Sequence, residues 1–501
     1  MGAVNMWLTD VMMIIFAGAL ASLLLDLGKN RLGMYRPVVV GAVSTFVLGF
    51  CLIDLILNWP STLTQSVSIR PVELNMASVY ILDRFSIFVV FTVLAVGLAV
   101  CFYSLEFLAP DENAGPFFAL MLFLIVSLIG IATAGDLLEL FLFWEGMSVA
   151  AYGLVAFNKK VTVSLEAALK YLFLAGTGSL IALFGISIIY ILTGSIQLSD
   201  LAFVFQKDPQ LAALGLFMLI IGFGVEAAIF PLHTWLPDAY SVAPAPVSAV
   251  LAGVVTETAV FALIKIISPT FTPVAETVAT ALTLSITQKQ PITFFGLIQA
   301  SLVIVAVFTM LIGNLGALGQ GNIKRMLSYS SIAHVGYMLA ALATFSIVGV
   351  VAILFHIWNH GLVKSSFFML TGNRGKAYED SELENVKGLF HQDRLEGGMF
   401  ALSSLGMLGV PPFGTFWSEL LIIQSLLATQ SLTFYALAVI VVLNIVFSVG
   451  YFSKVITSVG QKPDSPTKVA VSWPLTIPPL LLLLLSLLTG VAPWLMLGRL
   501  S

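Results

Sequence analysis

Charge is scarce in this 501-residue sequence, in which 10% of the residues are charged and 59% are hydrophobic. Soluble domains carry about 25% charged residues, so a soluble protein of this length could not cover its surface with so few. The small net charge of −4 gives no reason to expect a nucleic-acid or acidic-substrate partner. The composition therefore predicts a polytopic membrane protein.

Cysteines and cofactor motifs are scarce as well. Cys51 and Cys101 both lie in apolar runs, where a cysteine usually acts as a small buried hydrophobic residue. The sequence contains no CxxC pair, no GxGxxG loop and no P-loop, so we expect no cofactor in this chain. We expect no cleavable signal either, because the first apolar run is long enough to span a membrane and ends in a basic loop.

Long apolar segments fill most of the chain. A helix needs about 20 apolar residues to cross a bilayer, and that length predicts an all-α fold with about fourteen spans. The spans are expected near residues 8–26, 36–57, 79–104, 116–134, 136–157, 163–193, 211–235, 245–267, 292–313, 325–345, 347–371, 397–426, 432–457 and 471–496. The longest polar connection, residues 371–396, is predicted to be an amphipathic surface segment without a second domain.

Basic residues predict the orientation in the membrane. Most of them follow odd-numbered spans, which makes that side cytoplasmic by the positive-inside rule. With an even number of spans, both termini face outward, and the chain is expected in the cytoplasmic (inner) membrane. The basic residues on the predicted cytoplasmic side are Lys29, Arg31, Arg36, Lys159, Lys160, Lys324, Arg325, Arg374, Lys376, Lys387, Arg394, Lys454, Lys462 and Lys468.

Span seven contains ionisable and helix-breaking residues that are unusual in a membrane helix. Glu226 lies in its apolar run, and Pro231 and His233 follow. A proline in a helix interior removes a hydrogen bond and breaks the helix. In a membrane, such a break is tolerated only where protein or a water-filled cavity satisfies the freed backbone groups.

Span twelve is interrupted in a similar way, with Pro411 and Pro412 before Glu419. Interrupted helices at corresponding places in two halves are typical of inverted-repeat transporters. Because the interrupted spans are seven and twelve, the repeat unit has five helices, and an odd number gives the two repeats opposite topology. The predicted organisation is residues 1–115 for helices one to three, 116–267 for the first repeat, 290–457 for the second repeat and 458–501 for the last helix.

Ionisable side chains at membrane depth are costly and by default indicate a functional site. Six of them have apolar neighbours on both sides, namely Glu145, Lys170, Glu226, Glu257, Lys364 and Glu419. His356, His360 and Lys364 recur every four residues and so share one helix face. His-x-x-x-His spacing also suits zinc, but no third ligand or catalytic glutamate accompanies it, so we expect no metal. Such a row of groups can relay protons, because the charge of one alters the proton affinity of the next.

Other ionisable residues have plainer alternatives. Asp136, Glu166 and Lys324 lie near predicted span ends, where an interfacial position fits as well as a role in transport. Asp238 has the position of a helix cap or loop contact. His233 could instead satisfy the backbone that Pro231 frees.

Several motifs together resemble one family of membrane subunits. They are FWEGMSV (143–149), EAALKYLFLAG (166–176), FPLHTWLPDAY (230–240), NIKRMLSYSSIAHVGYM (322–338) and GVPPFGTFWSE (409–419). The chain resembles, over residues 117–450, the antiporter-like proton-translocating subunits of complex I, Mrp sodium/proton antiporters and energy-converting membrane-bound hydrogenases.

The resemblance implies fourteen helices, two inverted five-helix repeats and a polar axis through the membrane centre. It also implies other membrane subunits as partners, with the lipid bilayer and protons, and no cofactor in this chain. By position, the family's functional residues correspond to Glu145, Lys170, His334, His360, Lys364 and Glu419.

The sequence departs from the family at three positions. The family usually has Lys at Glu226, Mrp-like members tend to have Lys at Glu257, and complex I members tend to have His at Ala252. Glu145 would therefore face a second carboxylate unless Lys170 is its partner. Two close carboxylates share a proton or hold a cation, and carboxylate oxygens suit hard cations, so Na⁺ at Glu145, Glu226 and Glu257 is an alternative to protons.

The expected function is proton or sodium translocation in a membrane-bound respiratory oxidoreductase complex whose electrons pass through other subunits. The nearest alternative is a subunit of an Mrp-type cation/proton antiporter. A stand-alone solute transporter would cluster its buried groups around one substrate, whereas here they extend over many spans. A structural scaffold would tolerate mutation of Glu145 or Glu419 without loss of pumping.

Overall fold

The computed structural model describes residues 2–27, 36–59, 65–69, 78–108, 113–158, 162–281, 294–378, 380–462 and 471–500. Up to the first break, the elements are α1 (Gly2–Leu27), α2 (Arg36–Leu57), β1 (Gln65–Ile69), β2 (Ser78–Leu82), α3 (Arg84–Phe107), α4 (Ala114–Thr133), α5 (Leu137–Val155), α6 (Thr162–Thr193), a 3₁₀ segment (Leu198–Gln206) and α7 (Pro209–Gly224). After it come α8 (Trp235–Val242), α9 (Ala245–Val250), a π-helical turn (Leu251–Val255), α10 (Thr256–Ala281), α11 (Phe294–Leu318), α12 (Ile323–Leu342), α13 (Ile347–Tyr378), a 3₁₀ segment (Leu383–Val386), α14 (Leu389–Gln392), α15 (Arg394–Met407), α16 (Gly414–Leu427), α17 (Leu432–Gly460), α18 (Trp473–Val491) and α19 (Trp494–Leu500).

The all-α membrane fold is confirmed. Eleven of the described helices are long and apolar enough to cross a membrane, and they match eleven predicted spans. The other three are the interrupted spans seven and twelve and α12, whose 20 residues include Lys324, Arg325 and His334. The proline breaks shorten the helices of spans seven and twelve, and the charged residues lower the hydropathy of α12. The features that suggest function therefore also keep these three spans below the length or hydropathy of the others. Of the residues that predict orientation, Lys29, Arg31, Lys159, Lys160 and Lys468 lie outside the described residues.

The first predicted break lies between α7 and α8. Ala228 has a left-handed backbone conformation, with φ of 52°, and the Phe230–Pro231 peptide bond is cis. The indole Nε1 of Trp235 donates to the Val225 carbonyl at 2.9 Å, and the Phe230 N–H donates to Thr309 Oγ1 at 3.0 Å. Protein side chains therefore satisfy part of the interrupted backbone, as a membrane requires.

The second predicted break lies between α15 and α16, and its Pro411–Pro412 peptide bond is also cis. Thr415 Oγ1 donates to the Gly406 carbonyl across the break at 2.5 Å. Gly409 has a φ of +62°, and a Cβ there would lie 2.2 Å from Glu419 Oε2. Glycine suits this position, because it adopts the left-handed conformation readily and leaves room for the carboxylate.

Span eight changes its helical pitch next to Glu257. The π-helical turn precedes Thr256, whose Oγ1 donates to the Leu251 carbonyl at 2.9 Å. A Cβ on Gly361 of α13 would lie 2.4 Å from the Gly253 carbonyl oxygen in this turn. Two facing glycines thus let the backbones of spans eight and eleven approach closely. That approach brings Glu257 to α13.

Two features differ from the sequence prediction. β1 and β2 form an antiparallel hairpin that the count of spans did not include. The prediction for residues 371–396 was partly wrong, since α13 continues to Tyr378 and the side chains of Arg374 and Glu396 are buried. These two side chains form an ion pair, which allows two charges to leave the surface together.

Candidate functional site

The centre of the site is a contact between spans eight and eleven. His360 Nδ1 on α13 lies 2.6 Å from Glu257 Oε1 on α10, and both side chains are fully buried. The His360 ring lies 4.4 Å, between centroids, from the ring of His334 on α12. Three residues that are far apart in sequence therefore meet in the protein interior.

The histidines continue this contact toward the second break. His334 Nδ1 lies 3.0 Å from His356 Nε2, and His356 Nδ1 lies 2.9 Å from Ser418 Oγ on α16. Ser418 directly precedes the buried Glu419. Sequence reasoning missed Ser418, although its place beside Glu419 in the span-twelve motif was a usable signal. The buried chain thus runs from Glu257 through three imidazoles to the second break. Its His360–His334 step is a ring contact without a hydrogen bond, since His360 Nε2 has no hydrogen-bond partner among the described residues.

Lys364 extends the predicted face of α13. His356, His360 and Lys364 are all fully buried, as the spacing of four residues predicts. The Lys364 ammonium donates to the Leu327 carbonyl at 3.0 Å and to Ser330 Oγ. The buried Lys364 amine is therefore held against α12, beside the histidine chain.

Glu226 lies in the first break and is fully buried. Its two carboxylate oxygens accept hydrogen bonds from Ser148 Oγ on α5 at 2.8 Å and from the Tyr171 hydroxyl on α6 at 2.5 Å. Neither donor was singled out from the sequence, although both lie within the quoted motifs. Where the family usually has a lysine, this chain therefore has a carboxylate held by two hydroxyls.

Glu145 and Lys170 do not form a pair. Glu145 is partly exposed, and its buried Oε1 has no hydrogen-bond partner among the described residues. The prediction that Lys170 is buried was wrong, since its side chain is 52% exposed and pairs with Glu166 at 2.9 Å and Asp238 at 3.3 Å. Asp238 also accepts from Arg325 Nη1 at 2.9 Å. These charges join α6, α8 and α12 outside the histidine chain.

The three glutamates proposed for sodium have different surroundings. Glu257 is bound to His360, whereas Glu226 is bound to Ser148 and Tyr171. Glu145 has a buried Oε1 without a hydrogen-bond partner among the described residues. The three carboxylates therefore do not share one set of ligands.

The structure gives the partners of three other residues. Lys324 lies at the start of α12, is buried at 6% exposure, and its Nζ donates at 2.5 Å to the Ala243 carbonyl at the end of α8. A cation there suits the negative end of the helix dipole. Asp136 is buried and caps α5 by accepting from the Glu139 N–H at 2.7 Å. His233 does not satisfy the broken backbone, because its buried Nδ1 has no partner among the described residues.

Comparisons with known proteins identify the family of the chain. A family model described as "NADH:quinone oxidoreductase/Mrp antiporter, TM" matches residues 134–448. NADH-quinone oxidoreductase subunit N from Desulforudis audaxviator is 33% identical over 376 residues, covering 73% of this chain and 69% of that protein. The subunit N from Geobacillus kaustophilus is 30% identical over 469 residues, covering 92% and 90%. A Na(+)/H(+) antiporter subunit from Alkalihalophilus pseudofirmus is 27% identical, covering 74% and 71%.

Two solved structures extend the similarity to almost the whole chain. A chain of the archaeal membrane-bound sulfane sulfur reductase has a TM-score of 0.84 at 25% identity, covering 98% of this chain and 96% of that one. A chain of respiratory complex I from Thermus thermophilus has a TM-score of 0.78 at 25% identity, covering 98% and 99%. The fold resemblance therefore includes the spans that precede and follow the matched family region.

Proposed function

The chain belongs to the NADH:quinone oxidoreductase/Mrp antiporter family of membrane subunits, and from this premise we propose that it translocates protons within a complex I-type oxidoreductase. It is a multi-pass membrane protein and an antiporter-like subunit that works beside other membrane subunits. Electrons pass through those other subunits, and this chain moves the ion.

The buried chain from Glu257 through His360, His334 and His356 to Ser418 carries this proposal. A neutral imidazole has one nitrogen that donates and one that accepts, so a proton taken up at one nitrogen can leave from the other. The charges beside the rings influence which of them holds a proton. A charge change at Glu257 therefore acts directly on the first ring of the chain.

Replacing Glu257 by glutamine tests the proposal in the whole complex. The purified complex is reconstituted into liposomes and driven by its own electron donor, and protons translocated per electron are measured. We expect Glu257→Gln to lower this ratio, because the amide cannot carry the charge that binds His360. The matched control is Glu166→Gln, which changes a carboxylate that is 65% exposed. An unchanged ratio for Glu257→Gln in an assembled complex would refute the proposal.

The N-terminal half has a different chemistry, and sodium is the specific alternative there. Carboxylate and hydroxyl oxygens are ligands that hard cations prefer, and Glu226 brings both together with Ser148 and Tyr171. Measuring ²²Na⁺ uptake by the same liposomes separates the two ions. If sodium is carried, Glu226→Gln abolishes a ²²Na⁺ uptake that the wild type shows. If the wild type takes up no ²²Na⁺ and Glu226→Gln still lowers the proton ratio, Glu226 carries protons.

The second candidate function is a subunit of an Mrp-type antiporter, which the 27% identity to a Na(+)/H(+) antiporter subunit supports. Redox subunits that copurify with the chain would favour the oxidoreductase, and a purely membrane-embedded complex would favour the antiporter. The predicted location in the cytoplasmic membrane, with both termini outside, is compatible with both functions. Labelling single cysteines introduced beside Lys454 and Arg499 from each side of the membrane tests that orientation.

The two inverted repeats, residues 116–267 and 290–457, are also part of the proposal. Two observations support them. Each contains one interrupted span, and each interruption has a residue with positive φ, Ala228 in the first and Gly409 in the second. The interruption in each repeat also lies beside a buried carboxylate, Glu226 or Glu419.

A further inference from the structure

Span fourteen lies outside both proposed repeats, yet it binds both sides of the contact between His356 and Ser418. This span is α18, and its consecutive residues Thr489 and Gly490 are both buried. Each of them is hydrogen-bonded to a residue beside the buried chain, one on α13 and the other on α16. The last span of the protein therefore meets the second break and the histidine helix at one place.

The contact with α13 is made through Asn359, which directly precedes His360. Thr489 Oγ1 donates to Asn359 Oδ1 at 2.6 Å, and both side chains are fully buried. The same hydroxyl lies 3.1 Å from two carbonyl oxygens of its own helix, so its contact with Asn359 is the shortest of the three. Asn359 Nδ2 in turn donates at 2.9 Å to the Phe355 carbonyl, one residue before His356. Asn359 therefore joins span fourteen to the helical turn that carries both histidines.

The contact with α16 is made through Trp417, which directly precedes Ser418. Its indole Nε1 donates to the Gly490 carbonyl at 2.8 Å. A Cβ on Gly490 would overlap the Pro412 carbonyl oxygen in the second break. Glycine at this position therefore lets the backbone of span fourteen lie directly against the interrupted backbone of span twelve.

Gly414 brings the three helices together. It is the first residue of α16, and a Cβ there would overlap Asn359 Oδ1 and lie 2.7 Å from Thr489 Oγ1. The start of α16 therefore packs on the hydrogen bond that joins span fourteen to α13. A shift of span fourteen would move α13 and α16 relative to each other at this point, one helical turn before Ser418.

The position of Ser418 decides how the His356 ring is held. Ser418 Oγ lies 2.9 Å from His356 Nδ1 and donates to the Thr415 carbonyl at 2.9 Å. A hydroxyl has one proton to donate and a carbonyl can only accept, so Ser418 accepts from the His356 Nδ1–H. The Nε2 of a neutral His356 is then the acceptor that faces His334 Nδ1 at 3.0 Å. Ser418 thus sets the direction in which the hydrogen bonds run through these two rings.

We propose that span fourteen is a clamp that fixes Ser418 against His356, with Thr489 and Trp417 as positioning residues. Thr489 holds α13, and Trp417 holds α16. Because the two anchors on span fourteen are consecutive residues, one short piece of backbone sets the distance between α13 and α16 at the contact. The clamp rests on the proposed proton function, since it acts through a contact of the buried chain.

Three substitutions test the clamp. Thr489→Val removes the hydroxyl at nearly constant shape, Thr489→Ser keeps it, and Trp417→Phe removes the indole N–H. The matched control is Thr476→Val, because Thr476 lies on the same helix and its hydroxyl donates at 3.1 Å to the carbonyl of Ser472, the residue before α18 begins.

The rate of proton translocation by the reconstituted complex is the measurement, with assembly checked by copurification of the other subunits. We expect Thr489→Val and Trp417→Phe to slow translocation roughly two- to tenfold, the effect of losing one hydrogen bond. Thr489→Ser and Thr476→Val should stay near the wild-type rate. Equal losses in Thr489→Val and Thr489→Ser would overturn the positioning role, because packing alone would then explain both.

A double variant separates a positioning role from independent damage to the fold. If Thr489 acts through the contact of Ser418, Thr489→Val adds little to the loss that Ser418→Ala causes alone, because the effects of coupled residues are not additive. Losses that multiply in the double variant would show that Thr489 acts elsewhere and would overturn the clamp.

The variant Glu257→Gln separates failure of the clamp from failure of the proposed function. If Glu257→Gln lowers translocation while Thr489→Val and Trp417→Phe do not, the clamp is wrong and the proposed function stands. An unaffected Ser418→Ala would also overturn the clamp, because the contact that it fixes would then have no role. If Glu257→Gln translocates as the wild type does, the proposed function fails and the clamp fails with it.

Discussion

Replacing Gly361 by alanine is expected to separate Glu257 from His360 without changing either side chain. Gly361 follows His360 on α13, and its Cβ would lie 2.4 Å from the Gly253 carbonyl oxygen. Real Cβ atoms essentially never come within 3.0 Å of another heavy atom. The atom it meets belongs to the backbone of the π-helical turn, so no side chain can rotate out of the way and the helices themselves must move.

The size of that movement follows from the distances. An ordinary contact of 3.4 Å requires the two backbones to separate by about 1 Å. If the same shift reaches the site, the 2.6 Å contact between Glu257 and His360 lengthens to roughly 3.6 Å, which is too long for a hydrogen bond. A hydrogen bond to a charged group contributes about 1.5–3 kcal/mol. Proton transfer at this step should therefore slow about 10- to 100-fold.

The assay is proton translocation by the reconstituted complex, with electron transfer followed in parallel. Gly176→Ala is the control, because it changes a glycine of membrane helix α6 whose Cβ would meet no atom within 4 Å. We expect this control to assemble and translocate as the wild type does. A Gly361→Ala complex that translocates at the wild-type rate would show that the close backbone contact does not set the Glu257–His360 distance.

Two further changes test the charged pairs. Arg374→Ala leaves Glu396 buried without its partner, which should destabilise the chain by about 3–5 kcal/mol and lower the temperature at which the purified complex loses activity. The double variant Arg374→Met with Glu396→Leu should recover most of that temperature, and an equal loss in both would contradict the ion-pair explanation. Lys170→Gln should translocate nearly as the wild type does, because Lys170 is half-exposed and its ion pairs lie outside the histidine chain. A loss as large as that of Glu257→Gln would instead place Lys170 in the ion path.

Features set by local sequence were predictable. The spacing of His356, His360 and Lys364 defines a helix face, and prolines interrupt a helix wherever it packs. The two breaks and the buried face of α13 therefore follow from residues within one or two helical turns. The contacts of that face do not follow from local sequence, because Glu257 and His334 come from other helices.

Burial of Lys170 was predicted from its apolar neighbours, and this is where sequence reasoning failed. In a soluble protein apolar neighbours indicate the core, but in a membrane the outer surface is apolar as well. Phe173 and Leu180 on the same helix α6 are both 71% exposed. Apolar neighbours thus predict that a residue lies in a membrane helix, and packing alone decides whether it faces inward.

The hydrogen-bond partners of Glu226 come from other helices. A lysine there would bring a positive charge that needs a counter-charge, whereas Glu226 meets the Ser148 and Tyr171 hydroxyls. Hydroxyls both donate and accept, so they can bind the carboxyl group in its ionised and in its protonated form. The site can therefore gain and lose a proton without losing its hydrogen bonds. Because Glu257 binds His360, a direct side-chain contact joins span eight to span eleven.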